Sequence, residues 1–172
     1  MKQTKTAPTK IRFSKKTDLP HIVHIYNQAI RSNGATGDLK EYSVEQRIAW
    51  FEKFNKNTYP LYIAQRNDRI IGFCYISPYR AGREAMATVA EISYYIDYDF
   101  HREGVGTALL KHAIADCPRI KIKHLLAFLL DNNKQSIAIL KKFHFEKWGY
   151  FPDIININGQ QCGHVSYGLK VY

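Results

Sequence analysis

Between Val89 and Ile96 the chain alternates, with Ala90, Ile92, Tyr94 and Ile96 on one face and Val89, Glu91, Ser93 and Tyr95 on the other. A two-residue repeat built from β-formers predicts a strand, and it holds the Glu91 carboxylate on a stiff element. Gly104 and Gly106 then bracket Val105, and TALLKHAIA follows with helical spacing. Residues 88–110 therefore read as strand, polar connection, glycine turn and helix. Glycines let backbone approach a ligand closely, and the first N–H groups of a helix lack internal partners at the positive end of its dipole. Such a turn is a candidate phosphate site, with an ordinary connecting loop as the competing reading.

The remaining pattern supplies the surroundings of that stretch. Residues 10–14 read as a short strand. Asp18-Leu19-Pro20 opens a helix with Thr17 as its cap, and its apolar face is Ile22, Val23, Ile25, Tyr26, Ala29 and Ile30. Ser43 and Gln46 form a capping box before a helix over 44–54. Residues 61–65 and 70–76 read as strands joined by a hairpin at Arg66-Asn67-Asp68-Arg69. A loop over 78–84 carries Arg80 and Arg83. The near-continuous apolar run 123–130 predicts a strand covered on both faces. Asp131-Asn132-Asn133 caps a further helix, and 145–150 and 165–172 read as strands. Residues 1–9 are expected to be a flexible leader. Residues 10–172 are expected to be one α/β domain, with a mixed, mostly antiparallel sheet and helices on both faces.

A chain of 172 residues with 45% apolar and 23% charged content fits one globular domain. No apolar run approaches the roughly 18 residues of a membrane span, and the first ten residues lack the apolar core of a signal peptide. Cys74, Cys117 and Cys162 are odd in number and far apart, which suggests neither a disulfide framework nor a metal knuckle, so a reducing cytoplasm is expected. No His pair stands at zinc spacing beside Cys or carboxylates; His21 and His24 read as a solvated helix face. The net charge of +10 is scattered rather than set in a stripe with stacking aromatics, which argues against nucleic acid. A phosphate-bearing cofactor, an acidic substrate or a general steering field would account for it.

HREGVG over residues 101–106 resembles the Gln/Arg-x-x-Gly-x-Gly/Ala signature of the GNAT superfamily of N-acetyltransferases, with His101 in the first position. The order of elements is also similar to that superfamily. IRFSKKTDLPHIVHIYNQAI, then GAT, then EQRIAWFEK resembles its phosphinothricin and methionine sulfone acetyltransferase branch, and the likeness runs from about residue 11 to 150. The resemblance implies a single-domain GNAT fold, acetyl-CoA as acetyl donor and a homodimer. Glu91, thirteen residues before Gly104, corresponds to the branch's general base. Tyr94, Tyr95 and Ile96 correspond to the strand whose backbone pairs with the pantetheine arm. Arg102, Glu103, Gly104, Val105, Gly106 and Thr107 correspond to the pyrophosphate loop. Asn133 and Ser136 match the Asn-x-x-Ser element, and Lys142 could approach a CoA phosphate. Arg83 matches the substrate loop with Arg80 close to a second basic position, and Ile92 and Ser93 flank the acceptor. Departures fall on the acceptor half. Leu140 replaces a Tyr or His acid, His144 a Gly, Met86 a Tyr and Gly37 an aromatic. Cys162 and His164 stand where the pattern has Trp and Asp.

The function expected from these residues is acetyl-CoA-dependent transfer of acetyl to the primary amine of a small molecule, an amino acid or its analogue. An aliphatic amine is about 99.9% ammonium at pH 7, so a base is required. A covered strand would desolvate Glu91 and raise its pKa toward neutrality. Glu84, Asp97, Asp99 and Glu103 are rival carboxylates that read as solvated. Arg80 and Arg83 suit an acceptor carboxylate, or else belong to a solvated loop. A non-catalytic acetyl-CoA-binding regulatory domain and a protein N-acetyltransferase stay open as alternatives.

Overall fold

A computed structural model describes residues 7–172. The strands are β1 (Lys10–Phe13), β2 (Leu61–Arg66), β3 (Arg69–Pro78), β4 (Val89–Ile96), β5 (His124–Leu130), β6 (Glu146–Ile157) and β7 (Gln160–Lys170). The helices are α1 (Leu19–Arg31), α2 (Val44–Phe51), α3 (Val105–Asp116) and α4 (Lys134–Lys142). Among the described residues one seven-stranded sheet runs β1-β2-β3-β4-β5-β7-β6, and only the β4–β5 pair is parallel.

The alternation along the strands sorts side chains into two layers. Ile22, Ile25, Tyr26 and Ile30 of α1 pack on Leu61, Ile63 and Phe73 on one face. On the other, Val105, Leu109, Leu110 and Ala113 of α3, with Leu140 of α4, cover Ala64, Ile71, Cys74, Ala90 and Ile92. Gly72 lets α3 sit this close, because a Cβ there would lie 3.0 Å from the Tyr95 carbonyl oxygen and 3.2 Å from a Val105 methyl. Gly72→Val is therefore expected to cost about 1–3 kcal/mol through overpacking, read as a lower urea midpoint at unchanged slope.

Most elements lie where the pattern puts them. β4 has the expected bounds, Ser43 and Gln46 close the capping box on α2, and Asn67 and Asp68 take left-handed φ of 47° and 62° in the β2–β3 turn. Asn133 caps α4 by accepting the Ser136 N–H at 3.1 Å. The leader lies mostly outside the described residues.

Three expectations are corrected. Thr17 does not cap α1: it lies within a 3₁₀ turn, Lys16–Asp18, and Asp18 precedes the helix. The Asp18 carboxylate instead accepts the Lys15 N–H at 2.7 Å and both ends of the Arg12 guanidinium, tying β1 to the helix start. α2 stops at Phe51, three residues early. The last two strands are much longer than expected and form one hairpin through Asn158 (φ 50°) and Gly159 (φ 94°). Pro152 hid the continuity. It sits in the edge strand where the register to β7 shifts between Phe151 and Ile155, a place where a missing N–H is tolerated.

Candidate active site

The site begins where the single parallel pair fails. β4 and β5 are paired from Val89↔His124 to Glu91↔Leu126 and no further. Beyond that point β4 stays with β3 as far as Ile96, and β5 stays with β7 as far as Leu130. The sheet therefore splays into a wedge with Glu91 at its closed end, and the side of β4 facing β5 carries backbone groups that no strand satisfies. Such groups call for a partner. A ligand with amide groups along its length supplies one.

Glu91 is half-buried, and among the described residues it has neither a hydrogen bond nor an ion pair. Burial alone pushes its pKa up. The rival carboxylates are occupied or remote. Asp97 and Asp99 both hold Arg69, at 3.0 and 2.8 Å, Glu103 pairs with Arg66, and Glu84 is exposed on the loop after β3. Glu91 is thus a desolvated carboxylate without a cation, the state in which a proton acceptor is most basic.

Below the wedge the chain turns into α3. Arg102 (φ 64°) and Gly104 (φ 80°) take left-handed conformations, and the first bond closing into the helix is Ala108 N–H to the Gly104 carbonyl at 2.9 Å. Among the described residues, the N–H groups of residues 102–107 have no backbone acceptor. They converge at a helix N-terminus, a suitable cradle for phosphate oxygens. A cleft of about 810 Å³ joins this turn to the open edge of β4. It brings together Tyr94, Tyr95, Ile96, Arg102, Gly104, Val105, Gly106, Thr107, Asn133 and Ser136. The Tyr94 phenol lies 3.4 Å from the Ser136 carbonyl, and burial raises its pKa to about 12. Glu103 and Lys142 do not line the cleft; Lys142 is exposed in the last turn of α4. Ala29, Ser32, Gly34 and Ala35 form a wall that sequence reasoning missed, since small residues at a helix end carry no chemical signal.

A buried carboxylate holds the turn in place. Asp97 is 3% exposed and accepts bonds from the Gln28 amide, the Asp99 N–H and Arg69. Burial opposes its charge, yet these donors outweigh it and hold its pKa below the ordinary value of 3.8. Its contribution to stability is therefore present above that value and lost as pH falls through the lower folded pKa. Asp97→Ala is expected to cost about 1–3 kcal/mol at pH 7, because three donors lose this acceptor. Denaturation at pH 7 and pH 3 checks the expected narrowing of the difference in acid.

Ser93 and Glu91 share one sheet face with Tyr75 and Ser77, their partners on β3. Ile92 points the other way, into the core under α3. Arg80 and Arg83 are exposed on the loop after β3, with Arg80 stacked on Tyr79 at 5.4 Å. Leu140, in the position of the missing acid, is fully buried and belongs to the core. His144 takes φ 63° just past α4, the left-handed position that glycine usually fills.

The acetyltransferase (GNAT) family matches residues 21–145. YwnH of Bacillus subtilis, provisionally named a phosphinothricin acetyltransferase, is 33% identical over 94% of this chain and 95% of its own. An L-methionine sulfoximine/L-methionine sulfone acetyltransferase of Salmonella typhimurium is 26% identical over 84% of each chain. An N-acetyltransferase of Staphylococcus aureus superposes with a TM-score of 0.91 at 28% identity, covering 96% of this chain and all of the other. With the wedge, the turn and the sheet order, these likenesses make the chain a member of the acetyltransferase (GNAT) family and an acetyl-CoA-dependent N-acetyltransferase.

Proposed function

We propose that the protein acetylates the primary amine of an amino acid or amino-acid analogue, with Glu91 as the base. The observation that carries this reading is Glu91 itself, desolvated and without a cation at the closed end of the wedge. The names of the relatives, which include phosphinothricin and methionine sulfone acetyltransferases, support the acceptor class.

The residues fit acetyl-CoA. The free N–H groups of 102–107 suit its pyrophosphate, and the unpaired edge of β4 suits the amides of its arm. When bound it would supply an acetyl thioester that acylates a neutral amine, the new N–C bond forming as the C–S bond breaks and coenzyme A thiolate departs. Asn133 and Ser136, at the start of α4, would border the arm, whereas Lys142, at the far end of that helix, stands away from the cleft. Glu91 takes the ammonium proton, directly or through water, and burial makes it a stronger base than an exposed carboxylate. With Leu140 sealed in the core, the Tyr94 phenol is the side chain placed to donate a hydrogen bond to the departing sulfur. At a pKa of about 12 it stays protonated through the physiological range. Arg80 and Arg83 draw an anionic acceptor toward the opening.

The exposed side chains of Trp148, Tyr150, Phe151 and Ile154 on β6 support a homodimer through this edge strand. Three free, buried cysteines suit a reducing cytoplasm. The reading is tested by following coenzyme A release with methionine sulfone, phosphinothricin, free amino acids, polyamines and a Lys peptide. Amino-acid analogues should turn over fastest. Peptide turnover alone would make this a protein acetyltransferase, and acetyl-CoA binding without turnover would make it a regulatory domain.

A further inference from the structure

Nine arginines are present, and Arg12, Arg31, Arg66, Arg69 and Arg119 have carboxylate partners. Of the four without an ion pair among the described residues, Arg80, Arg83 and Arg102 are exposed, whereas Arg47 is half-buried. Its guanidinium carbon lies 4.5 Å from the ring centre of Tyr26, 4.4 Å from Tyr42 and 4.5 Å from Trp50. No protein acceptor receives a hydrogen bond from it among the described residues, and its nitrogens are not sealed from solvent, since Arg66 Nε is the sole fully buried side-chain polar atom left without a partner there. Three rings thus surround the guanidinium, and its N–H groups are left without a protein acceptor among the described residues.

The box containing Arg47 stands against the strand that carries Glu91. Trp50 meets Tyr75 edge-on at 5.4 Å, and Tyr75 is the cross-strand partner of Ser93, two residues from Glu91. Tyr26 meets Tyr95 edge-on at 4.9 Å. One aromatic layer thus separates the guanidinium from β4 on the face that Glu91 shares. The Tyr75 phenol is raised mainly by burial, then lowered by Ser93, raised by Glu91 and lowered by Arg47, so both charges act on it. Asp38 lies nearby, but its carboxylate accepts the Tyr26 hydroxyl at 2.6 Å and makes no ion pair with Arg47.

A guanidinium packed among aromatic rings and without a protein acceptor is poorly hydrated, and it offers two parallel donors to a planar anion. The exposed Arg80 and Arg83 remain hydrated and screened, which suits them to steering rather than gripping. We propose that Arg47 is the anion-recognising residue of the acceptor site, holding the carboxylate of an amino-acid acceptor whose amine lies at Glu91. The inference rests on the amine-acetylation reading above. It places acceptor selection on α2 instead of on the loop after β3.

The alternative role is purely structural, with Arg47 clamping α2 to α1. The test measures binding of methionine sulfone and of its carboxamide to the coenzyme A-loaded protein by calorimetry, and turnover of both with acetyl-CoA. The wild type, Arg47→Lys and Arg47→Met are compared, with melting temperatures as a folding control. The wild type is expected to prefer the acid over the amide by about 10–100-fold, the range of a charge-assisted pair. Arg47→Met is expected to bring that ratio near one through KM rather than kcat, and Arg47→Lys to restore part of it. An equal loss for acid and amide, or a wild type with no preference for the acid in binding, would overturn the proposal. Acid-selective binding without turnover would leave Arg47 in its role and remove the amine-acetylation reading.

Discussion

Glu91→Gln is expected to lower kcat for amine acetylation by about 10²–10⁴-fold while leaving acetyl-CoA affinity within about twofold. The substitution keeps the shape of the side chain and removes its ability to take a proton. Because Glu91 makes no hydrogen bond or ion pair among the described residues, nothing else is broken, and the melting temperature should hold. The pH dependence carries an independent signature. Burial raises the Glu91 pKa above the ordinary carboxylate value of 4.5. Wild-type activity should therefore fall on the acid side as this group gains its proton, beginning at a higher pH than an exposed carboxylate would give. The residual activity of Glu91→Gln should lack that acid limb. Stopped-rate assays across pH check both points, and an unaltered profile in the variant would remove Glu91 from its role.

Gly106→Val is expected to act on the other half of the reaction, raising the acetyl-CoA dissociation constant about 10–100-fold. Gly106 is buried in the first turn of α3, where a Cβ would lie 3.4 Å from Ile139 Cδ1 and 3.7 Å from Ile96 Cδ1. A single methyl can be accommodated. The two further methyls of valine must push α4 aside or stand in the cleft beside the free N–H groups. Gly104 offers the contrast. A Cβ there meets nothing within 4 Å, so Gly104→Ala suffers only the strain of φ +80°, about 1 kcal/mol. Calorimetric titration of acetyl-CoA separates the cases: affinity should be lost in Gly106→Val and kept in Glu91→Gln.

The central strand was legible because its alternation is uninterrupted, and the glycine turn because two glycines before a helical pattern leave few other readings. The same short-range signals placed α1, the α2 capping box and the β2–β3 turn. They failed where tertiary structure overrode them. Pro152 and Asp153 broke the pattern of β6, although Asn158-Gly159, immediately past the end of that strand, is a strong hairpin signal that should have outweighed them. The wedge was not readable at all, since where two parallel strands separate depends on partners far apart in sequence. The grouping of Glu91 with Ser93 followed from parity, but the occupation of Asp97, Asp99 and Glu103 by Arg69 and Arg66 did not. Arg47 went unnoticed for the same reason. Its three rings come from α1, the following loop and α2, and only folding assembles them.

The most direct test of the account is a crystal structure with coenzyme A and an acceptor amino acid bound. The account predicts pyrophosphate oxygens on the N–H groups of residues 102–107, the pantetheine arm along the β4 edge beyond Glu91, and the acceptor nitrogen beside the Glu91 carboxylate. Coenzyme A bound elsewhere, or an acceptor nitrogen facing a carboxylate other than Glu91, would contradict it.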